Sequence, residues 1–219
     1  MTRRSLTTDA RPRAVVLLSG GLDSAVALAA TAAEGFACIA LLVDYGQSNC
    51  PREMTCARSQ AGRFRAEVMP VVVSFSVTAG EPLSQRGGSG VSPHYVPGRN
   101  GVLMALALSV AEARGASRVV IGATAEDLAG FPDCRPAYFD SWRELARLGM
   151  AAAPEIVAPL DAFTKADVIR LGLSLGVDLA ATWSCYVAGP SPCGVCGACV
   201  IRARGFATAG LVDPLMEKA

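Results

Sequence analysis

A chain of 219 residues is long enough to bury roughly 70% of the surface its unfolded form exposes, so it needs no disulfide or metal staples to build a core. Hydrophobic residues make up 52% and charged residues 18%, with a net charge of +1, which excludes a disordered chain and a bulk phosphate-backbone binder. The mean hydropathy of +0.37 does not signal a membrane span, because apolar stretches such as Val102 to Ala111 are broken by Ser109 and end at Glu112, well short of about 18 residues.

Residues 1–12 carry charge but no apolar segment of roughly 7 to 15 residues and no cleavage pattern. They read as a flexible arm on a cytoplasmic protein. Ala14 to Leu18 is a short apolar run ending at Ser19, Gly20 and Gly21, the pattern of a buried parallel strand entering a tight loop. A helix is predicted over Ala25 to Glu34, stopped by Gly35, then a strand over Phe36 to Val43 ending at Asp44. Pro51 opens a helix running to about Arg65, and Glu67 to Ser74 reads as the third strand. Between Thr78 and Pro97 the composition shifts to Gly, Ser and Pro, a functional or mobile loop. A helix from Gly98 to Arg114, a strand from Arg118 to Gly122, a helix from Pro136 to Gly149, a strand over Glu155 to Val157 and a helix from Thr164 to Leu175 follow. Strands alternating with helices predict an α/β fold: a parallel sheet covered on both faces, spanning residues 13–182, with ligands at the carboxyl ends of the strands. Residues 183–219 are Cys-, Gly- and Pro-rich at their start and read as a small metal-held region.

Ser19, Gly20, Gly21, Leu22, Asp23 and Ser24 lie between the first strand and the first helix, where backbone N–H groups and a positive helix end converge on an anion. No lysine follows the glycines, so this is not a Walker loop, and the three-glycine dinucleotide fingerprint is absent. A carboxylate beside polyphosphate is repelled unless it holds a cation, so Asp23 predicts Mg²⁺. Cys185, Cys193, Cys196 and Cys199 follow a C-x7-C-x2-C-x2-C spacing with Gly194 and Gly197 in the short spacers. Four thiolates so placed read as one closed tetrahedral structural Zn²⁺ site. An iron-sulfur cluster and a disulfide framework are the alternatives, and a reducing compartment counts against the latter. Cys38 reads as a core residue, and Cys50 and Cys56 fall off a common helix face. His94, the single histidine, reads as a solvated loop side chain. Arg99 and Asn100 open a long helix, where the arginine can bind phosphate or carboxylate or simply lean on the loop. Asp127, Asp133, Cys134 and Arg135 follow the strand ending at Gly122 and favour a polar substrate pocket. Lys165 is a candidate to reach phosphate, although a surface lysine leaves the same signature.

The loop at Ser19 to Ser24 resembles that of the N-type ATP pyrophosphatases. This implies a Rossmann-like, adenine nucleotide alpha hydrolase-like fold that binds ATP for adenylation. In that resemblance Asp44 and Gln47 lie near the nucleotide, though Asp44 also suits a turn. Taken with Val96 to Asn100, Pro132 to Pro136, Thr182 to Tyr186 and the cysteine cluster, the order of motifs resembles the 7-cyano-7-deazaguanine synthase family of queuosine biosynthesis. The resemblance implies a homodimeric, nitrile-forming ligase acting on 7-carboxy-7-deazaguanine and ammonia through adenylated acid and amide. It also implies no direct nucleic-acid or membrane partner. Asp23, Arg99 and Lys165 are the implied catalytic residues, and Asp127 or Asp133 is implied to accept from the ring edge. The chain departs from the family pattern at Ser48, Asn49, Thr124, Leu128, Ala129 and Phe131. Three hydrogen-bonding side chains are lost at Leu128, Ala129 and Phe131, which bears on substrate identity more than on reaction class. Cys134 reads as pocket lining because no activating partner is evident.

Overall fold

Strand β1 (Arg13–Leu17) lies at the centre of the sheet, hydrogen-bonded in parallel to β2 (Ala37–Asp44) on one side and to β4 (Arg118–Val120) on the other. The structure is a computed structural model that describes residues 11–74, 92 and 94–216. Most of the expected arm, most of the Thr78 to Pro97 loop and residues 217–219 lie outside the described residues. With β3 (Glu67–Val72) outside β2 and β5 (Glu155–Val157) outside β4, the order is β3-β2-β1-β4-β5, all parallel. The chain winds one way from β1 through β2 to β3, then crosses to build β4 and β5. The crevice this reversal leaves at the carboxyl ends of β1 and β4 is where open α/β sheets take ligands.

Alternation along β1 explains why its sequence is apolar throughout. Val15 and Leu17 enter one core layer with Ile39, Leu41 and Val119 of neighbouring strands, under α3 (Arg99–Arg114) and α5 (Pro136–Gly149). Val16 and Leu18 enter the opposite layer with Ala40, Leu42 and Val120, under α1 (Leu22–Ala33), α2 (Cys50–Arg63) and α6 (Lys165–Ser174). The central strands must therefore be apolar on both faces. Pro70 fits because β3 is an edge strand, where a missing N–H costs no ladder bond.

The predicted elements are present with small boundary shifts. Helix α1 begins at Leu22 rather than Ala25, because Gly21 already takes the extended N-cap conformation. Strand β3 ends at Val72 rather than Ser74, and β4 at Val120 rather than Gly122. The sequence reading has no counterpart for the one-turn helix α4 (Asp127–Gly130) or for helix α7 (Gly197–Ala209) after the cysteines. Helix α7 buries Cys199, Arg202, Gly205 and Phe206, a 3-and-4 spacing along one face, and Phe206 enters the same core layer as Val26 and Ile169. Close approach to α6 depends on Gly205: a Cβ there would lie 2.6 Å from Lys165 Cγ.

Candidate active site

The crevice opens into a cavity of about 800 Å³. Its floor is the β1–α1 loop. Ser24 Oγ lies 3.1 Å from Ser19 Oγ and donates to Gly21 O at 3.1 Å, and Gly21 N–H donates to Ser19 Oγ at 3.3 Å. Gly20 has φ +82°, and a Cβ on it would lie 2.2 Å from the Glu53 carbonyl oxygen of α2. Only glycine permits that conformation and that approach together. The Gly20 carbonyl is turned back to accept from Trp183 N–H at 2.9 Å, which holds the loop from behind. Gly20 supports the floor from behind, whereas Ser19, Gly21, Leu22, Asp23 and Ser24 line the cavity.

Asp23 stands in the first turn of α1, and Lys165 Nζ donates to its Oδ1 at 2.5 Å across 142 residues of sequence. Lys165 is placed by the start of α6, where Thr164 accepts from Asp167 N–H and the Asp167 carboxylate accepts from Thr164 N–H, a reciprocal cap. Glu126 Oε1 accepts from Lys165 N–H at 2.6 Å. Asp127 Oδ2 accepts from Thr124 N–H and Oγ1, both at 2.9 Å. Burial, with the Asp23 charge beside it, pushes the Asp127 carboxyl up despite Lys165 and those hydrogen bonds. A carboxylate cluster with one lysine beside an N–H-lined loop suits Mg²⁺ and polyphosphate together, since Mg²⁺ is held by one or two carboxylates plus substrate phosphates.

On the opposite wall Arg99 begins α3 and donates to Tyr45 Oη at 3.2 Å, with the guanidinium 5.8 Å from the Tyr45 ring centre. Asn100, buried next to it, donates to the Asp133 carbonyl at 3.3 Å and to Cys134 Sγ at 3.4 Å. The Asp133 side chain is 4% exposed, and both carboxylate oxygens are buried without a hydrogen-bond partner. Burial pushes its carboxyl up against the pull of Arg99. The Cys134 thiol is pushed up to about 12 by burial and by Asp127 and Asp133, so it stays protonated and inert, as pocket lining should be.

Not every expected residue faces the cavity: Asp133 is buried behind it and is not a lining residue. Arg135 is exposed and donates to the Leu128 carbonyl at 3.3 Å. Asp44 Oδ1 accepts from Gly46 N–H at 2.9 Å, the turn role, and is not a cavity-lining residue. Gln47 lines the cavity, as does Phe131, whereas Leu128 and Ala129 do not. His94 is half-buried rather than solvated, stacked on Tyr186 at 4.1 Å, and burial lowers its pKa.

Glu53 and Arg202, both charged lining residues, escape the sequence reading, and Tyr186 enters it only as the end of a motif. Arg202 is buried and makes a two-pronged pair with Asp213, at 2.7 and 2.9 Å. It also donates to Thr182 Oγ1 at 2.7 Å and to Leu179 O at 3.0 Å. The 3-and-4 spacing of Cys199, Arg202 and Phe206 was the available sign of a buried helix face.

Beside the cavity the ligand atoms of Cys185, Cys193, Cys196 and Cys199 lie within 4.8 Å of one another. The Cys185 and Cys196 sulfurs are 4.0 Å apart, close to the roughly 3.8 Å edge of a tetrahedron with 2.3 Å metal–sulfur bonds. Backbone N–H groups of Val195 and Cys196 pull the Cys193 thiol down, whereas burial pushes those of Cys185 and Cys199 up, so the fit to a metal rests on the spacing of the sulfurs. The four residues therefore fit a tetrahedral metal. Cys185 also ties this centre to α2, its carbonyl accepting from Asn49 Nδ2 at 2.7 Å.

A parallel sheet of order β3-β2-β1-β4-β5, a glycine loop opening α1 at the switch point and a four-cysteine cluster define the class: a Rossmann-like α/β protein of the ATP pyrophosphatase fold. The chain aligns with the NMN synthetase from Francisella tularensis at a TM-score of 0.52 and 18% identity, over 96% of this chain and 82% of that one, a likeness of fold. The chain belongs to the family described as queuosine biosynthesis protein QueC, whose profile matches residues 13–210. It is 40% identical over 225 residues to the 7-cyano-7-deazaguanine synthase of Microcystis aeruginosa, covering 94% of this chain and 97% of that protein. It is 43% identical over 224 residues to the 7-cyano-7-deazaguanine synthase of Frankia casuarinae, covering 94% of each. Among the described residues no helix is long and apolar enough to cross a membrane.

Proposed function

We propose that this protein is an ATP-dependent carbon–nitrogen ligase that makes 7-cyano-7-deazaguanine from 7-carboxy-7-deazaguanine and ammonia. Family membership and full-length relatives bearing the synthase name support the product. The observation that carries the chemistry is one cavity lined on one wall by the Ser19 to Ser24 loop, Asp23 and Lys165 and on the other by Arg99 and Asn100. A carboxylate is a poor electrophile until its oxygen joins a good leaving group. Attack of the acid on the α-phosphorus of ATP supplies one and releases pyrophosphate; ammonia then displaces AMP to give the amide. A second ATP activates the amide oxygen, and its loss with AMP leaves the nitrile.

In this reading the loop amides, Ser19 and Ser24 hold the β- and γ-phosphates, and Lys165 neutralises developing charge. Asp23 holds Mg²⁺, which screens the phosphates when bound. Arg99 and Asn100 orient the acid, and Asp127 on the cavity wall or Asp133 behind it accepts from the ring N–H groups. Zn²⁺ is the ion assigned to the four cysteines, whose role is structural. Residues 13–182 carry the chemistry and 183–219 brace it, in a cytoplasmic homodimer.

Incubation with 7-carboxy-7-deazaguanine, ATP, Mg²⁺ and ammonium, followed by mass spectrometry, is expected to yield the nitrile with AMP and pyrophosphate. ADP and phosphate reject adenylation, and amide as the end product rejects nitrile synthesis. Normal ATP binding without adenylation of this acid points instead to a different carboxylate, a reading that Phe131 on the cavity wall favours.

Asp133 gives a second test. Removing a buried acceptor costs about 1–3 kcal/mol, so Asp133→Ala is expected to lower kcat/KM for the acid roughly 5- to 150-fold with little change in ATP binding. Because burial holds this carboxyl above its ordinary value, its ionised form opposes folding. That loss is absent below the unfolded pKa and grows as pH rises through the folded pKa. Asp133→Asn is therefore expected to raise the melting temperature more at about pH 8 than at about pH 4; equal shifts at both would remove the buried-charge account.

A further inference from the structure

Four carboxylates line the cavity among the described residues: Asp23, Glu53, Glu126 and Asp127. Three of them gather around the start of α6. Asp23 takes the Lys165 ammonium, Glu126 takes the Lys165 backbone N–H, and Asp127 is held by Thr124 within the field of both Asp23 and Lys165.

Glu53 stands apart, on α2. Gln47 Nε2 donates to its Oε2 at 2.9 Å. The same Gln47 donates to Val43 O at 3.3 Å and accepts from Tyr45 N–H at 2.9 Å, so the amide has one orientation and fixes the carboxylate in turn. Gln47 is thus a positioning residue. The cation acting on Glu53 is Arg99, which is turned toward the Tyr45 hydroxyl. The backbone at Glu53 meets the phosphate loop at Gly20. Glu53 therefore occupies the wall where the loop and the Arg99–Tyr45 pair come together, without a lysine of its own.

The geometry points to Glu53 as the catalytic base that receives the nitrogen substrate, binding an ammonium ion and taking one of its protons. This rests on the adenylation reading above. Ammonium predominates at neutral pH and has no lone pair with which to attack. A carboxylate attracts it, and transfer of one N–H proton to Glu53 frees the lone pair. That pair forms the C–N bond to the acyl carbon, the C–O bond to the α-phosphate breaks, and its electrons leave with AMP. The second proton passes to solvent as the neutral amide forms. Burial keeps the Glu53 carboxyl above the ordinary carboxylate range, against the pull of Gln47, Arg99 and Asn49, and a base nearer neutrality is the more effective one. The other titratable groups that interact with it are the Cys50 and Cys56 thiols of its own helix, both held up by burial and therefore neutral.

Glu53→Gln keeps an acceptor for Gln47 and removes the base, which makes it the informative variant. Hydroxylamine is neutral at neutral pH and needs no deprotonation, so hydroxamate formation reports the adenylated acid independently of this step. We expect Glu53→Gln to lower ammonium-dependent amide formation by about 10²-fold or more, while hydroxamate formation stays within about twofold of wild type. An amide rate within a few-fold of wild type overturns the role of Glu53, as does hydroxamate formation that falls in step with the amide. Absence of hydroxamate from the wild-type reaction overturns the adenylation reading and this assignment with it.

Discussion

Asp23→Asn is expected to leave a folded protein whose pyrophosphate release falls by about 10³-fold, some 4 kcal/mol of transition-state stabilisation. The replacement has nearly the same volume, and its side-chain oxygen can still accept from Lys165 Nζ, the contact seen at 2.5 Å. What it removes is the negative charge. Asp23 sits in the first turn of α1, at the end of the loop proposed to hold phosphates. A carboxylate that would hold Mg²⁺ there would contribute most as negative charge builds on the departing pyrophosphate. Lys165 loses its partner charge while 10% exposed, so some destabilisation accompanies the change, about 1 kcal/mol. Thermal melting and pyrophosphate release separate the two effects. A folded variant with near-normal release would remove Asp23 from the mechanism.

Loss of the metal is expected to act further from its own site than a surface zinc knuckle would. Stripping the protein with a chelator, or replacing Cys185 by Ser, should lower the melting temperature, reduce soluble yield and weaken ATP binding by at least about tenfold. The physical route is short. The Cys185 carbonyl accepts from Asn49 Nδ2, which lies at the start of α2. Two residues earlier, Trp183 N–H holds the Gly20 carbonyl behind the phosphate loop. Releasing Cys185 frees both supports. Metal analysis checks the premise, with one zinc per chain expected. Equal stability and equal ATP affinity with and without metal would show the cluster to be independent of the loop.

The sheet was legible because it is buried on both faces. A strand with an unbroken apolar run, such as Ala14–Leu17 of β1 or Ala37–Val43 of β2, is recognisable without knowing its neighbours, and Gly or Pro marks where the following helix starts. The ends of α5 and β5 are found where the sequence places them. Helix α7 was hidden because its glycines and cysteines argue locally for turns. Its reason for being helical lies in packing against α6, which no local pattern displays. The glycine loop before α1 and the cysteine cluster were legible because each is local in sequence. The Asp23–Lys165 contact spans 142 residues and depends on topology. The same cause separates Arg135 from the cavity: Phe131 and Cys134 line the wall, but the chain turns through Pro132–Cys134 and leaves the guanidinium outside. Glu53 was passed over because a glutamate inside a helix carries no signal until the Gly20 loop is laid against it.

The pairing of Arg202 with Asp213 fixes when, during synthesis, the pocket can be finished. Every strand of the sheet lies before residue 158, and a nascent chain folds progressively as it emerges. Yet the guanidinium that lines the cavity and braces Thr182 cannot be taken out of water until its carboxylate partner, eleven residues later, has emerged. Until then the growing polypeptide holds a formed sheet with an unlatched wall, and chaperones would meet it in that state. Pausing before Asp213 has emerged from the ribosome prolongs this open interval, whereas pausing after its emergence does not.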